Sequence, residues 1–444
     1  MLLSFRFANH RSFRDEQQLN LTPVYLSGEQ AVRVAGIFGA NASGKSNCLD
    51  ALEFTRRFAL YSDREVEPGL GISREPFRLA PDTRKTPSHY VVDLLLNGVR
   101  HTYGYALDNE RVVEEWLYHY PRRRRRRVFE RTGDSYRWGE EASRGMVLER
   151  IAEVTAPTAL FLSTVARFGH AHSARFGHAH PGGPELDPLH DVYRWFRSIR
   201  SLHRPGIRHY IKPSWPDDEA SQRTVVELLR AADVGIVDVV MVPATMTDES
   251  PAPARLADAD EPPRVARNIR GWLGDQPPRR LKFAHRGAAG DVLFELTEES
   301  TGTQQLLTLA IQAARVLGEG GTMCVDEIDA SLHPLLTAKL IGLFRNTSTN
   351  PHHSQLIFTS HDAALLGTID TEEILARDEI WFTEKDADGA STLYPLTDFK
   401  PRKEGENRQR RYLNGNYGAI PDLSTYLFEQ ALAARGQVNG EATR

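Results

Sequence analysis

The chain has 444 residues, 40% hydrophobic and 26% charged, which supplies a sizeable core and excludes a fibrous or disordered polymer. Its 55 Lys and Arg against 59 Asp and Glu leave a net charge of −4, so a globally basic nucleic-acid coat is excluded while a local basic patch is not. Two cysteines, Cys48 and Cys324, exclude a disulfide scaffold.

At roughly 100–200 residues per domain, two or three units are expected. The opening Met1-Leu-Leu-Ser-Phe-Arg-Phe lacks the basic-then-apolar pattern of a secretory leader. No apolar run reaches the roughly 18 residues that span a bilayer. A cytoplasmic protein without a membrane partner is the expectation.

Residues 2–8 and 18–22 alternate apolar and polar side chains, predicting two short strands around Asn9-His-Arg-Ser-Phe13. Val32–Phe38 is a compact apolar run ending at Gly39, and Cys48–Leu60 has helical spacing. His89–Leu96, Val99–Leu107, Val112–Tyr120 and Val128–Trp138 read as strands, with turn chemistry at Asn97-Gly98, Asp108-Asn109 and Thr132–Asp134. An antiparallel meander follows from that pattern. Ala166–Pro181 repeats Ala-Arg-Phe-Gly-His-Ala-His. Its histidines, His170, His172, His178 and His180, read as a duplicated loop and not as a metal site, for want of a companion acid or cysteine. Leu189–Leu202 and Ser221–Ala232 look helical, and Pro243–Pro263 is a linker rich in proline and acid. From Asp291 onward strand and helix alternate, as in a mostly parallel sheet.

Gly39-Ala40-Asn41-Ala42-Ser43-Gly44-Lys45-Ser46, followed by Asn47, fits the phosphate loop G-x-x-x-x-G-K-[ST] at every fixed position. A buried strand enters it and an amphipathic helix leaves it, the context that lets backbone N–H groups close around phosphates. Lys45 is expected to reach the β- and γ-phosphates of ATP, and the Ser46 hydroxyl to ligate Mg²⁺. Gly321–Glu327 is an apolar strand ending in two acids. Asp326 is the expected second Mg²⁺ ligand and Glu327 the group that polarises the attacking water.

Glu299-Ser300-Thr301-Gly302-Thr303-Gln304 precedes the helical run Gln305–Leu317 and resembles the signature of ABC ATPases. A hydroxyl and bare backbone at a helix N-terminus form an anion site. The resemblance implies that Ser300, Thr301 and Gly302 cap the γ-phosphate bound by the other subunit. Ile328–Pro334 stands where that family has its D-loop. Strand Gln355–Thr359 then leads to Ser360-His361-Asp362, where His361 matches the switch histidine and is the third expected catalytic residue beside Lys45 and Glu327.

With these residues placed, the chain resembles the SMC/RecF/OLD branch of ABC-class ATPases, through Phe7, Asn9, Arg11, Ser12, Phe13 and Gly44–Asn47. A closer resemblance, to RloA-like ATPases of anti-phage islands related to the ATPase subunit of the PARIS system, rests on Tyr103–Asp108, Glu114–Tyr118, Glu299–Gln304, Asp378–Phe382 and Tyr417–Pro421. It implies an α/β P-loop NTPase of ABC-ATPase type with an antiparallel β lobe and an inserted helical lobe. The implied chain is an ATP-hydrolysing switch that closes as a head-to-tail homodimer, or as a higher oligomer of such dimers, and controls a nuclease or toxin effector. The alternative is a RecF-like DNA-repair or chromosome-handling ATPase. Three departures stand out. No glutamine lies between Gln30 and Gln222 to serve as a Q-loop, His333 occupies the D-loop aspartate position, and Pro205–Pro278 carries no sustained heptads.

The expected division is 1–60 with 291–383 as the split ATPase core, 61–150 as the β lobe, 151–290 as the inserted lobe and 384–444 as an extension. Outside the nucleotide motifs, Arg122, Arg123, Arg124, Arg125, Arg126 and Arg127 form an unbroken run between two strands, a candidate contact for nucleic acid or an acidic partner. The weaker basic stretch Lys400–Arg411 reads as a solvated loop.

Overall fold

The computed structural model describes residues 1–65, 71–140, 146–176, 187–202, 215–216, 218–232, 235–243, 279–369, 372–400 and 406–421. In chain order, β1 (Leu2–Ala8) and β2 (Gln17–Asn20) pair antiparallel, β3 (Val34–Gly39) leads into the phosphate loop, and α1 (Lys45–Glu65) leaves it. The meander follows as β4 (Ser88–Leu96), β5 (Val99–Leu107), β6 (Val112–His119), β7 (Arg126–Thr132) and β8 (Ser135–Trp138). Next come α2 (Met146–Val154), α3 (Phe161–Phe176), α4 (Asp187–Ser198), β9 (Ile199–Leu202), α5 (Glu219–Ala231), β10 (Ile236–Pro243), β11 (Arg279–Gly287) and β12 (Gly290–Glu295). The last part holds α6 (Thr301–Glu319), β13 (Thr322–Val325), α7 (Pro334–Arg345), β14 (Gln355–Thr359), β15 (Thr368–Ile369), β16 (Glu372–Glu373), β17 (Ile380–Lys385), β18 (Ser391–Pro395) and α8 (Arg408–Leu413).

Two large sheets organise these elements. One is antiparallel, in the order β2-β1-β4-β5-β6-β7-β8; the other runs β18-β17-β3-β14-β13-β9 and is parallel except for β18. Strand alternation divides β3 between two cores. Ala35 and Ile37 join the core shared by α1, α3, α4 and the antiparallel sheet, whereas Val34 and Phe38 join the core under α6 and α7. A third cluster joins α5 to the opposite face of α6 and to the small sheet β10-β11-β12. The helix that begins at Ser300 is thus packed on two sides.

The pairings cut across the expected division of the chain. β1 and β2 align with β4 of the meander (Phe7 opposite Tyr90), not with the nucleotide-loop sheet. β18 and β9 are edge strands of the parallel sheet, although one was expected in the extension and the other in the inserted lobe. Leu189–Leu202, expected as one helix, ends at Ser198. Its last four residues pair with β13 (Ile199 opposite Thr322), which satisfies their backbone groups along an open sheet edge. β12, expected in the parallel sheet, pairs antiparallel with β11. The backbone of α3 runs through His170 and His172 to Phe176, where a loop was expected. His178, His180, the linker after Pro243 and most of Pro205–Pro278 lie outside the described residues. Arg408, expected in a solvated loop, is buried and donates to the Leu375 carbonyl while pairing with Glu373.

Two segments that carried the family resemblance are joints of this fold. Asp378 accepts the N–H groups of Val24, Tyr25 and Leu26 at 3.0, 2.8 and 2.7 Å. The Tyr417 ring stacks on Phe382 of β17.

Candidate nucleotide site

The expected nucleotide residues gather where three neighbouring parallel strands end: the loop after β3, the acids after β13 and His361 after β14. C-terminal strand edges are where open α/β sheets take ligands, because helix N-termini and short loops converge there. The chain reverses between β3 and α1 with positive φ at Gly39 (157°), Ala42 (61°) and Gly44 (114°). Gly44 is required twice over, since a Cβ there would sit 2.6 Å from Ser391 Oγ. Ala40, Asn41 and Ala42 line the more open side of the loop, while Ser43 is buried and shares a 2.6 Å hydrogen bond with Thr383 Oγ1. Asn47 Nδ2 and Ser391 Oγ both donate to Ser12 Oγ at 2.8 Å. Hydroxyls from the Asn9–Phe13 segment, β17 and β18 therefore brace the loop from behind.

Lys45 lies inside the loop and its Nζ donates to the carbonyls of Gly39 and Ala40, each at 2.9 Å. Burial lowers its pKa to about 8, and the charges of Asp326, Glu327 and Asp329 oppose that fall. The first turn of α1 contains no acidic residue.

Ser46 Oγ donates to Asp326 Oδ1 at 2.9 Å across 280 positions of sequence. The fold thus joins the two residues expected to hold Mg²⁺. Thr359 Oγ1, wholly buried at the end of β14, donates to the same Oδ1 at 2.6 Å and accepts the Glu327 N–H at 2.7 Å. One hydroxyl therefore fixes both acids. Glu327 adopts φ 51° and its side chain is partly exposed; His361 Nε2 lies 3.8 Å from Glu327 Oε1. Among the described residues, Asp329 Oδ1 is a buried atom without a hydrogen-bond partner.

These donors suit Mg²⁺, which prefers hard oxygens and binds through one or two protein groups together with waters and substrate phosphates. Among the described residues no group of three His, Cys, Asp or Glu forms an all-protein metal cage. Cys48 and Cys324 are buried core thiols whose pKa values burial raises.

Ser300 is the N-cap of α6. Its Oγ accepts the Thr303 N–H at 3.1 Å and shares a 2.9 Å bond with Thr303 Oγ1. Thr301 and Gly302 form the first turn, and a Cβ on Gly302 would lie 2.6 Å from the Ser331 carbonyl oxygen. Within one chain the Ser300–Gly302 turn therefore packs against the 328–334 segment. His333 caps α7, its Nδ1 accepting from Leu335 N at 3.3 Å with Pro334 in the first turn. That capping role gives a physical reason for histidine at this position.

Arg122–Arg125 lie on the β6–β7 connection of the antiparallel sheet and Arg126 and Arg127 open β7, on a different sheet from the one that carries Lys45 and Asp326. Thr359, Thr383 and Ser391 were missed in the sequence. Hydroxyl residues at strand ends are too common to stand out, and only the proximity of Thr359 to His361 hinted at a role.

Residues 34–367 match the family model described as "AAA domain, putative AbiEii toxin, Type IV TA system". The chain belongs to this family. It is thus an AAA-domain protein of α/β fold, with a phosphate loop after β3 and an antiparallel sheet beside the nucleotide-loop sheet. Similar solved structures include an SMC head bound to the C-terminal winged-helix domain of ScpA (14% identity, 90% of this chain and 99% of that one, TM-score 0.44). They also include the SMC head domain of Thermotoga maritima (15%, 89% and 98%, 0.40). A third is an SMC head with an extended coiled coil bound to the C-terminal domain of ScpA, from Pyrococcus furiosus (13%, 90% and 97%, 0.40). Comparison with curated proteins gives no significant match. Among the described residues no helix is long and apolar enough to cross a membrane.

Proposed function

We propose that this AAA-family protein is an ATP-binding and hydrolysing switch that works as a head-to-tail dimer and controls an effector protein, a nuclease or toxin. The observation that carries the reading is the Ser46–Asp326 hydrogen bond, with Thr359 tying Asp326 to Glu327. That network supports the reading because it links the residue after the phosphate-loop lysine to two neighbouring acids, one buried and one partly exposed. The effector rests on the toxin–antitoxin wording of the family description and on the resemblance to anti-phage ATPases.

In this reading Lys45 leaves the Gly39 and Ala40 carbonyls for phosphate oxygens when ATP binds. Ser46 and Asp326 would hold Mg²⁺, which would supply charge neutralisation to the bound phosphates. Glu327 accepts a proton from water as its oxygen bonds to the γ-phosphorus and the bond to ADP breaks. His361, beside Glu327, orients that water. Ser300, Thr301 and Gly302 act on the partner's nucleotide, because within their own chain they pack against the 328–334 segment. The proposed division takes 34–60 with 296–383 as the ATPase core, to which we add β9 and β18, and gives β1 and β2 to the β lobe and β12 to the inserted lobe.

The test is complementation. Lys45→Ala and Ser300→Arg chains should each be inactive alone, yet mixed they should recover about a quarter of wild-type ATPase through one intact composite site. No recovery on mixing, with heterodimers present, would sink the dimeric mechanism.

A further inference from the structure

The run Arg122–Arg127 has no part in the nucleotide cluster, and its setting is unusual. All six residues are exposed. The connection starts with a tight turn over Pro121–Arg123 in which Arg122 (φ 53°) and Arg123 (φ 62°) are both left-handed, and the run continues into β7. Local acids are few and already engaged. Glu130 takes Arg127 at 3.0 Å and the Tyr118 hydroxyl at 2.5 Å, and Asp93 takes Arg100 at 2.9 Å. Among the described residues no carboxylate pairs with Arg122, Arg123 or Arg124. The Arg125 guanidinium lies 3.8 Å over the Tyr118 ring, which holds its plane before any partner arrives. Arg100 lies over Tyr120 at 5.2 Å, adding a further cation beside the hairpin end.

Charge spacing separates the two kinds of partner. The run sets six guanidinium groups on six consecutive residues, a charge density comparable with the one phosphate per roughly 3.4 Å along one strand of B-form DNA. A folded protein surface intersperses both signs among roughly 25–35% charged residues, so an unbroken row of anions at that density is foreign to it. The absence of lysine from the run points the same way, because the planar guanidinium fork matches phosphate oxygens two at a time. On a chain of net charge −4 the run is also a focused field and not part of a general basic coat.

We propose that the β6–β7 hairpin binds the phosphodiester backbone of a nucleic-acid duplex, without reading base sequence. The contact is separate from the nucleotide site, so its test does not depend on hydrolysis. The full-length protein is titrated into a short fluorescent DNA duplex of arbitrary sequence between about 50 and 200 mM salt. Arg122→Glu, Arg123→Glu and Arg124→Glu together should weaken binding at low salt by at least about tenfold and flatten the log–log salt slope by about 3. The corresponding triple lysine variant should keep the slope. Basal ATPase and the melting curve of the glutamate variant should match wild type, which separates loss of contact from loss of fold. The proposal is overturned if the wild type fails to bind the duplex at the lowest salt, or if the glutamate variant keeps the wild-type slope. It is equally overturned if polyglutamate of matched charge displaces the duplex as well as unlabelled duplex does, which would mark a surface for an acidic protein.

Discussion

The N-terminus of α3 and the N-terminus of α1 present the same problem, a set of backbone N–H groups with no helical acceptor, and the molecule answers it in opposite ways. At α3 the chain supplies its own anion. Glu115, with no exposed surface, accepts Phe161 N at 2.7 Å, Leu162 N at 3.1 Å and the Tyr103 hydroxyl at 2.9 Å, with Arg131 at 3.6 Å. Burial alone raises the Glu115 pKa, and Arg131 with these donors opposes the rise. At α1 the first turn contains no acid. The only strong cation in the loop, Lys45, turns back to two carbonyls. One helix end is thus committed to the fold, and the other is arranged for an anion that the chain does not provide.

Removing the carboxylate at each place should break the comparison in different observables. Glu327→Gln should lower the ATPase rate by about 10²–10⁴-fold, the usual range for loss of a general base. Nucleotide affinity and the denaturation midpoint should stay near wild type. A Glu327→Gln chain that hydrolyses ATP normally would remove Glu327 from the mechanism. Glu115→Ala should do the reverse, costing about 3–5 kcal/mol in denaturant unfolding because it leaves the buried Arg131 charge with carbonyl acceptors but no counter-ion, and two helix N–H groups without their acceptor. Nucleotide affinity of the folded fraction should be unchanged. A Glu115→Ala midpoint equal to wild type would show that the buried carboxylate does not secure the N-terminus of α3.

Thr359 gives the finest test, since it belongs to the core by burial and to the site by its bonds. Thr359→Val keeps the shape and loses the hydroxyl that orients Asp326 and Glu327. It should lower kcat about tenfold with little change in KM, consistent with the loss of a hydrogen bond to a charged group. Thr359→Ser should restore the rate. Equal losses in the Val and Ser variants would mean that Thr359 acts through packing alone.

Much of the site was legible because its motifs are local. The phosphate loop must be contiguous, as its N–H groups close around one ligand, so Gly39–Ser46 can be read as a string. The acids after an apolar strand and the histidine after another were legible in their order. Residues whose role depends on a partner far along the chain were not. Ser12, Thr383 and Ser391 are ordinary hydroxyls until the sheets bring them behind the loop. Glu115 reads as one polar residue in an alternating strand until α3 starts on it. Ile199–Leu202 carries so short a pattern that only the open edge of β13 decides it is a strand.

By itself the sequence determined the chemistry on offer: a phosphate loop, two acids, a histidine and a helix with a capping serine, in an order that resembles that of ABC ATPases. Tertiary structure decided which of these meet. It joined Ser46 to Asp326 across 280 positions, put β1 and β2 with the meander, and turned Ser300–Gly302 toward the 328–334 segment of its own chain. The physical reason is that hydrogen bonds between distant residues depend on strand order and register, which are set by long-range burial and not by local pattern.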